Sequence, residues 1–300
     1  MRLFRNAAGA IGAVFLAMLI FANDGSAQKI ATAITRCGAV INTPGFYEIS
    51  ASLTSTSNSA DCIDIESKGV ALSIGPVTLS GPGGASATGA GIKIWKDAGG
   101  IQLNLAGVTI EGFGIGVEVL GSSVSISGGP TGASVINNAA QGILVEDASS
   151  VIINSLNCQG NGSSGLELQH ASGVIVQGIS AAQRNGGYGV WVDSSSHNQF
   201  FDLEASGNQL SGFYVGESAT DRLNATKDDK PSDNNVFIGT GSIDNSGGGF
   251  VIDRGDSYNV VNASVGEGNP LTDAIDENQD CAHNTWVGND FLTTNATCIH

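Results

Sequence analysis

The chain has 300 residues, of which 43 are glycine and only 13% are charged. Glycine costs about 1 kcal/mol at each position inside a helix, so this composition argues against a helical protein and favours an all-β chain with many turns. The formal net charge of −16 argues against nucleic acid and anionic membrane surfaces as partners, because both require a basic surface.

Residues 1–27 have the pattern of an export signal. A positively charged start precedes an apolar segment over residues 7–22, and Gly25 and Ala27 offer the small side chains that a signal peptidase requires. The apolar segment is shorter than the ~20 residues of a membrane span, so we expect no membrane insertion. The sequence therefore predicts a secreted or periplasmic protein.

Export permits disulfide bonds, and the five cysteines suggest two of them. In this interpretation Cys37 pairs with Cys62 near the start of the mature chain, and Cys281 pairs with Cys298 near its end. Cys158 remains in mid-chain. We interpret Cys158 as a small buried thiol rather than a reactive nucleophile, because no sequence feature supports catalysis there.

After an N-terminal cap and first coils over residues 28–90, a four-residue pattern recurs over residues 91–300. It consists of glycine followed by an apolar, any and an apolar residue. Most copies are 23–26 residues apart, but one spacing of 37 residues predicts a loop insertion at 217–234. Such a period is typical of solenoids. The anchor positions are Gly91, Gly116, Gly142, Gly165, Gly189, Gly212, Gly249 and a degenerate copy at Asp273.

Asparagine is a second marker of the repeat. Asparagine tolerates left-handed turns, and its amide both donates and accepts hydrogen bonds, so stacked copies predict a ladder along the solenoid. The members four residues before an anchor are Asn138, Asn161, Asn185, Asn208, Asn245 and Asn269. A second set is Asn198, Asn235, Asn259 and Asn284. Each repeat is thus predicted to hold at least two short strands and two polar turns.

Twenty-four residues cannot hold two strands and a crossover helix, so same-sense stacking predicts a parallel β-helix. Two flanking motifs stand beside the repeats, residues 37–49 with 61–65 at the start and residues 284–291 at the end. With these motifs the chain resembles the right-handed parallel β-helix proteins of the pectate-lyase-like fold, in particular the bacterial exported NosD-type group. The resemblance implies an all-β solenoid of about 8–10 coils, with the last segment as a C-terminal cap.

Side chains alternate along a strand, so the third residue of each pattern and the residue two further on face outward. These positions predict two exposed columns on one sheet. The first column is Lys93, Glu118, Leu144, Glu167, Trp191, Tyr214 and Val251. The second column is Trp95, Leu120, Glu146, Gln169, Asp193, Gly216 and Asp253.

Trp191 and Tyr214 lie on adjacent coils and would offer stacking surfaces to sugar rings. We expect Glu146, Gln169 and Asp253 to border this platform as ligand-binding residues, and carboxylate oxygens there could also hold Ca²⁺. The alternative interpretation is an ordinary solvated face of a sheet, where polar and aromatic side chains are common.

Glu167 and Asp193 lie on neighbouring coils and are the candidate catalytic pair of a glycoside hydrolase-like enzyme, which needs two carboxyl groups at about 5–9.5 Å. Val190 to Asp193 is similar to a strand of pectate lyases, but Ser194 stands where those enzymes have histidine. The characteristic motifs of polygalacturonases and mannuronan epimerases are absent. A polysaccharide lyase would also need clustered basic residues, and the basic residues here are scattered.

The histidines His170, His197 and His283 fall near turns on different coils, so they are interpreted as turn residues rather than as copper or zinc ligands. The sequence as a whole predicts an exported solenoid that binds polysaccharide, with cleavage as a further hypothesis. A non-enzymatic solenoid for adhesion, scaffolding or metal delivery stays open as the alternative.

Overall fold

The computed structural model describes residues 30–178, 181–217 and 230–300. In these ranges the chain forms a parallel β-solenoid of about ten coils, which confirms the predicted fold. The helical elements in these ranges are two 3₁₀ turns, Gly129–Thr131 and Gln279–Cys281. None of the described helical segments is long and apolar enough to cross a membrane. The expected export signal and most of the predicted loop insertion lie outside the described residues.

Three parallel sheets run the length of the solenoid. Sheet 1 consists of Ala39–Ile41, Ile63–Ile65, Ala90–Ile94, Ile115–Val119, Ile143–Glu146, Leu166–Gln169, Val190–Asp193, Phe213–Val215, Phe250–Ile252 and Ala274–Asp276. Sheet 2 consists of Thr32–Ala33, Gly45–Ile49, Val70–Ile74, Gly99–Asn104, Ser122–Ser127, Val151–Asn154, Ile175–Gln177, Gln199–Phe201, Val236–Ile238, Val260–Asn262 and Thr285–Val287. Sheet 3 consists of Leu53–Thr54, Thr78–Ser80, Thr109–Glu111, Ala133–Ile136, Leu156–Gln159, Ala181–Gln183, Glu204–Ser206, Gly241–Ile243, Val265–Glu267 and Asp290–Phe291.

Each coil contributes one strand to each sheet in turn, so a full repeat holds three strands where the sequence pattern indicated at least two. The sheets continue without a break past residue 90, because the strand Ile63–Ile65 pairs with Ala90–Ile94. The first coils of the chain therefore belong to the same solenoid as the repeats.

The core is a continuous apolar column inside the three sheets, because one side chain in two points inward along each strand. Towards the C-terminal end this column becomes aromatic. Phe213 and Phe250 stack at 4.3 Å between ring centroids, and Phe200 and Phe237 stack at 4.6 Å. All four rings are at most 1% exposed. Coil-on-coil stacking thus gives the core the same period as the strands.

A buried ladder of asparagine side chains fills the corner between sheet 3 and sheet 1. The Nδ2 group of Asn185 donates to Asn208 Oδ1 at 3.0 Å and to the carbonyl oxygen of Cys158 at 3.2 Å. Its Oδ1 accepts hydrogen bonds from the backbone N–H of Asn161 at 3.0 Å and from its Nδ2 at 3.1 Å. Each amide therefore bonds to the coil before it and to the coil after it. The ladder comprises Asn138, Asn161, Asn185, Asn208, Asn245 and Asn269.

The ladder ends on a carboxylate. Asp273, the degenerate anchor, accepts a hydrogen bond from Asn269 Nδ2 at 2.8 Å and another from the Thr293 hydroxyl at 2.7 Å. Burial opposes ionisation of this group, but the bonds from Asn269 and Thr293 outweigh it and lower the pKa of Asp273. The departure from glycine at the last anchor thus has a structural reason.

A second ladder lies in the corner between sheets 1 and 2 and ends in a similar way. Its last amide, Asn284 Nδ2, donates to Asp276 Oδ2 at 3.0 Å, and the indole N–H of Trp286 donates to the same oxygen at 2.9 Å. The members are Asn198, Asn235, Asn259 and Asn284. Both ladders therefore finish on an aspartate of the final coil.

Left-handed backbone marks the corners of every full coil, and two corner columns alternate glycine with another residue. A Cβ added to Gly160 would lie 2.6 Å from Asn137 Oδ1, and one added to Gly239 would lie 2.8 Å from Asp202 Oδ1. In all of these pairs except Ala263 and Gly288, the larger side chain thus covers the glycine of the next coil. The columns are Asn137, Gly160, Arg184, Gly207, Asp244 and Gly268, and Ser155, Gly178, Asp202, Gly239, Ala263 and Gly288.

Disulfide bonds join Cys37 to Cys62 and Cys281 to Cys298, the two pairs that the sequence suggested. Cys158 is a free, buried cysteine whose register partners are Val135 and Ala182 in sheet 3. Burial raises the pKa of its thiol to about 12, so the sulfur stays protonated and unreactive.

Candidate functional site

The outward face of sheet 1 carries both predicted columns in the expected register. Glu167 lies beside Trp191, Trp191 beside Tyr214, and Gln169 beside Asp193. This juxtaposition follows from the repeat length alone, since each of these strands begins one position after an anchor glycine.

The expectation that both columns are exposed is wrong at several positions. Glu167 and Asp193 are only 4% and 3% exposed, and Asp253 is 2% exposed. Leu144 and Val251 are buried as well. Alternation along a strand predicts the direction of a side chain but not what covers it.

Three aromatic rings cluster at the centre of this face. Tyr188 stacks on Tyr214 with 4.6 Å between ring centroids and 14° between ring planes, and it lies 5.3 Å from Trp191 at a tilt of 53°. The Trp191 indole N–H donates to the carbonyl oxygen of Gly216 at 2.8 Å, which orients the indole. The platform predicted from Trp191 and Tyr214 therefore includes Tyr188 as the ring that stacks on Tyr214.

Glu167 lies directly beside this cluster. The Gln141 side-chain amide donates to Glu167 Oε2 at 3.0 Å. Burial raises the pKa of Glu167 to about 7; the bond from Gln141 opposes the shift, and the negative charges of Asp193 and Glu146 add to it. At neutral pH a substantial fraction of this carboxyl group consequently keeps its proton.

Asp193 is the nearest candidate partner for Glu167 in an acid–base pair. The two residues are diagonal neighbours, one coil apart and two residues out of line, which corresponds to about 8 Å between Cα atoms from strand spacing and rise. The Ser194 hydroxyl donates to Asp193 Oδ1 at 3.2 Å. The sequence placed these carboxyl groups on neighbouring coils, and the structure adds that both are buried.

A small cleft opens beyond the carboxyl ends of the last strands of this cluster. The Tyr214 hydroxyl lies 2.8 Å from Asp253 Oδ2 and 3.2 Å from the carbonyl oxygen of Glu217, and Asp253 Oδ1 accepts the backbone N–H of Arg254 at 2.7 Å. The cleft has a volume of about 100 Å³. Its described lining is Glu217, Pro231, Asp253, Arg254, Gly255 and Asp256.

A second group of polar side chains occupies the first coils of the same face. Lys93 Nζ lies 2.9 Å from Glu118 Oε2 and 4.6 Å from the centre of the Trp95 ring, whose indole N–H donates to Asp64 Oδ1 at 3.0 Å. Lys93 is therefore held between a carboxylate and an aromatic ring.

The pKa of Glu146, which lies between the two groups, is also raised. Burial is the largest cause, followed by the negative charges of Asp147 and Glu118. Gln169, its neighbour in the register, is half-buried on the same face. Gln169 therefore lies on the coil next to the aromatic cluster, and Glu146 lies one coil further away.

Gln141 and Tyr188 were missed by the sequence reasoning, although both have direct roles in this face. Each immediately precedes an anchor glycine, Gly142 or Gly189, in the corner where strand alternation does not apply. A long polar or aromatic side chain at this position of the repeat is the signal that would have identified them.

The histidines lie at left-handed turn positions, as interpreted from the sequence. His170 Nδ1 is 3.6 Å from Asp147 Oδ1, and the His283 ring stacks on Tyr258 at 5.0 Å. Among the described residues, no group of three or more histidine, cysteine, aspartate or glutamate side chains is arranged to hold a metal ion.

The profile of the family described as the right-handed β-helix region matches residues 90–265, more than half of the chain. The chain belongs to the right-handed β-helix family. No curated protein sequence matches this chain significantly. None of these findings bears on the NosD-type group, so membership of that group stays a prediction.

Solved structures with this fold include several with low sequence identity. A mutant of the periplasmic alginate epimerase AlgG is 14% identical with a TM-score of 0.56, over 80% of this chain and 64% of the epimerase. This chain thus spans slightly less than two thirds of that enzyme. The Azotobacter vinelandii mannuronan C-5 epimerase AlgE6 A-module is 12% identical with a TM-score of 0.51, over 87% of this chain and 83% of the module. Tailspike protein 2 of Escherichia coli O157:H7 bacteriophage CAB120 is 13% identical with a TM-score of 0.54, over 86% of this chain and 34% of the tailspike.

Proposed function

We propose that the protein binds a polysaccharide along the outer face of sheet 1 and hydrolyses it there. The observation that carries this proposal is the cluster of Tyr188, Trp191 and Tyr214 directly beside the buried carboxyl group of Glu167. Aromatic rings provide large apolar contact surfaces, and their polar edges remain able to bond to hydroxyl groups. A face of ten stacked parallel strands suits an extended polymer.

The structural neighbours support a carbohydrate ligand at the level of the fold. The names of AlgG and the AlgE6 module describe epimerases of alginate and mannuronan, which are polysaccharides. The two disulfide bonds favour an oxidising compartment, the periplasm or the cell exterior, where polysaccharides are encountered.

Hydrolysis is the reaction that the carboxyl pair favours. Glu167 in its acid form transfers a proton to the glycosidic oxygen while the bond from that oxygen to the anomeric carbon breaks. A water molecule attacks the anomeric carbon and gives its proton to the Asp193 carboxylate. The Cα atoms of the two residues are about 8 Å apart, and we propose that their carboxyl groups lie about 6.5–9.5 Å apart, the separation that leaves room for a water in glycosidases that invert configuration.

Binding is tested with the full chain in affinity electrophoresis through gels that contain single polysaccharides. We expect Trp191→Ala and Tyr188→Ala to weaken retention by any retarding polymer roughly tenfold or more, because each removes a ring from the cluster. The matched control is Tyr258→Ala, which removes an aromatic ring that is 55% exposed in the corner between sheets 1 and 2. Retention that is unchanged by the first two substitutions would contradict the proposed binding face.

Cleavage is tested by the release of reducing ends from a retained polymer. We expect Glu167→Gln and Asp193→Asn each to lower the rate by about 100-fold or more while binding persists. Glu111→Gln, a half-buried carboxyl group on sheet 3, is the control and should leave the rate unchanged. A polymer that binds without any release of reducing ends would instead favour the non-enzymatic solenoid.

A further inference from the structure

We infer that the polysaccharide taken by sheet 1 is uncharged and that the negative charge of this face excludes polyuronates, a conclusion that rests on the proposed function and adds the class of substrate. The observations behind it are the signs and pairings of the side chains on the two outward columns. These observations depend on the charged side chains of this face and not on the fold that the protein shares with other β-helix proteins.

Carboxyl groups dominate the charged positions of this face. In the described part of the two columns the single cation is Lys93. It lies four coils from Trp191, or about 19 Å at the spacing of parallel strands, which is beyond the Debye length of about 8 Å at physiological salt. The acids are Glu118, Glu146, Glu167, Asp193 and Asp253, and Asp64 continues the first column on the preceding coil.

The positive charge of Lys93 is already paired with a carboxylate of the protein. Its ammonium group is 2.9 Å from Glu118 and lies over the ring of Trp95. A uronate that approached Lys93 would have to compete with Glu118 for the same charge. Lys93 is therefore a poor binding partner for the carboxylate of a uronate.

The acids on this face influence one another. The pKa values of Glu146 and Glu167 are raised mainly by burial, but each is raised further by neighbouring carboxylates, such as Glu118 for the first and Asp193 for the second. A polyuronate would bring one more negative charge per sugar into the same field. A neutral sugar instead brings hydroxyl groups, which donate hydrogen bonds to carboxylates.

The cleft beyond the aromatic cluster has the same balance of charge. Arg254 lines it together with three acidic residues, Glu217, Asp253 and Asp256. Among the lining residues that the structure describes, carboxyl groups thus outnumber the guanidinium three to one. The likeness to alginate epimerases, at 14% identity or less, is a likeness of fold and does not make alginate the ligand of this face.

The test compares polymers that share a backbone and differ in charge. The full chain is run in affinity electrophoresis against polygalacturonate and its full methyl ester, against alginate and its propylene glycol ester, and against xylan, galactomannan and mixed-linkage β-glucan. Runs are made at low salt with a chelator and repeated with Ca²⁺. We expect an uncharged polymer to bind at least roughly tenfold tighter than any polyanion at low salt. The difference should be smaller at high salt because the repulsion is screened.

Glu146→Gln removes one carboxylate from the face, so it should strengthen binding of a polyanion more than binding of its ester. Glu111→Gln on sheet 3 is the matched control and should change neither. The inference would be overturned if a polyuronate bound as tightly as its ester or more tightly, with or without Ca²⁺. The proposed function would still stand in that case if Trp191→Ala abolished binding of the polyuronate. If no polymer bound, the proposed function would fail and the inference with it.

Discussion

Asn185 fills the space that a side chain on Gly165 would need: its Nδ2 atom lies 2.7 Å from the point where a Cβ on Gly165 would stand. The two residues belong to successive coils. The same relation joins Gly142 to Asn161 and recurs at the later anchors. The glycine and asparagine markers of the repeat are therefore two halves of one packing contact between neighbouring coils.

Gly189→Ala tests this contact. A Cβ there would meet the carbonyl oxygen of Gly212 at 2.6 Å and Asn208 Nδ2 at 2.8 Å. Since both neighbours are held in the ladder and the backbone, we expect a loss of about 3 kcal/mol or more in the free energy of unfolding. Gly173→Ala is the control, where a Cβ would come no closer than 3.7 Å to the Ser150 backbone nitrogen but φ is +62°, and it should cost about 1–2 kcal/mol. Equal shifts of the urea midpoint in the two variants would mean that crowding at Gly189 costs no more than the left-handed φ costs at Gly173, and would contradict the packing contact.

Asn185→Ala interrupts the first ladder at its middle. It leaves the backbone N–H of Asn161 and the carbonyl oxygen of Cys158 without the partners they have in the native protein. Buried groups without partners cost about 1–3 kcal/mol each, so we expect a loss of about 3–5 kcal/mol in urea denaturation. Asn104→Ala, an exposed asparagine in sheet 2, should change stability by less than about 0.5 kcal/mol. Similar effects of the two substitutions would show that the ladder contributes little.

Glu167→Gln should make stability less dependent on pH. The pKa of Glu167 is raised from its ordinary 4.5 to about 7, so the folded protein holds this proton more tightly than the unfolded chain does. Stability from this group is therefore full below about pH 4.5 and is lost as the pH rises to about 7, with a total loss of about 3 kcal/mol. In urea denaturation, we expect the free energy of unfolding of the glutamine variant, relative to that of the native protein, to be higher at pH 8 and equal at pH 4. A constant difference across this range would contradict the raised pKa.

The thiol of Cys158 should be silent in the native protein. With two disulfides and a buried thiol whose pKa is raised to about 12, the folded chain should not react with Ellman's reagent. One thiol per chain should react in denaturant without reductant, and five after reduction. Rapid reaction of the native protein would indicate that the coil around Cys158 opens readily.

The period of the chain was sufficient to predict the solenoid, because the anchor glycines and asparagines are fixed by contacts that every coil repeats. Asp273 and Asp276 were harder to interpret from sequence. Asp273 looks like a lost glycine, but it replaces the next asparagine of the first ladder, and Asp276 does the same for the second. The last coil must supply an acceptor for the final amide of each ladder, and the internal repeats give no indication of which residue type does so.

The site was only partly predictable. Register follows from strand spacing, so the neighbours Glu167, Trp191 and Tyr214 could be assigned from sequence. Tyr188 and Gln141 could not, since they lie in corners where side-chain direction depends on turn geometry. Strand alternation places Glu167 on the outer face but does not show that it is buried, so its raised pKa was also beyond the sequence pattern.

Each coil is a unit of length that can be removed whole, although removal of one coil places Gly160 and Gly207 next to each other in a corner column that otherwise alternates. Excision of residues 161–184 would join Gly160 to Asn185, leaving a left-handed glycine followed by a ladder asparagine, as the native corners require. Asn138 would then meet Asn185 in place of Asn161, and the cap at Asp273 would be untouched. The shortened molecule would lose Glu167 and bring Trp191 one coil nearer to Lys93. The number of coils between them thus sets the distance from the aromatic cluster to Lys93.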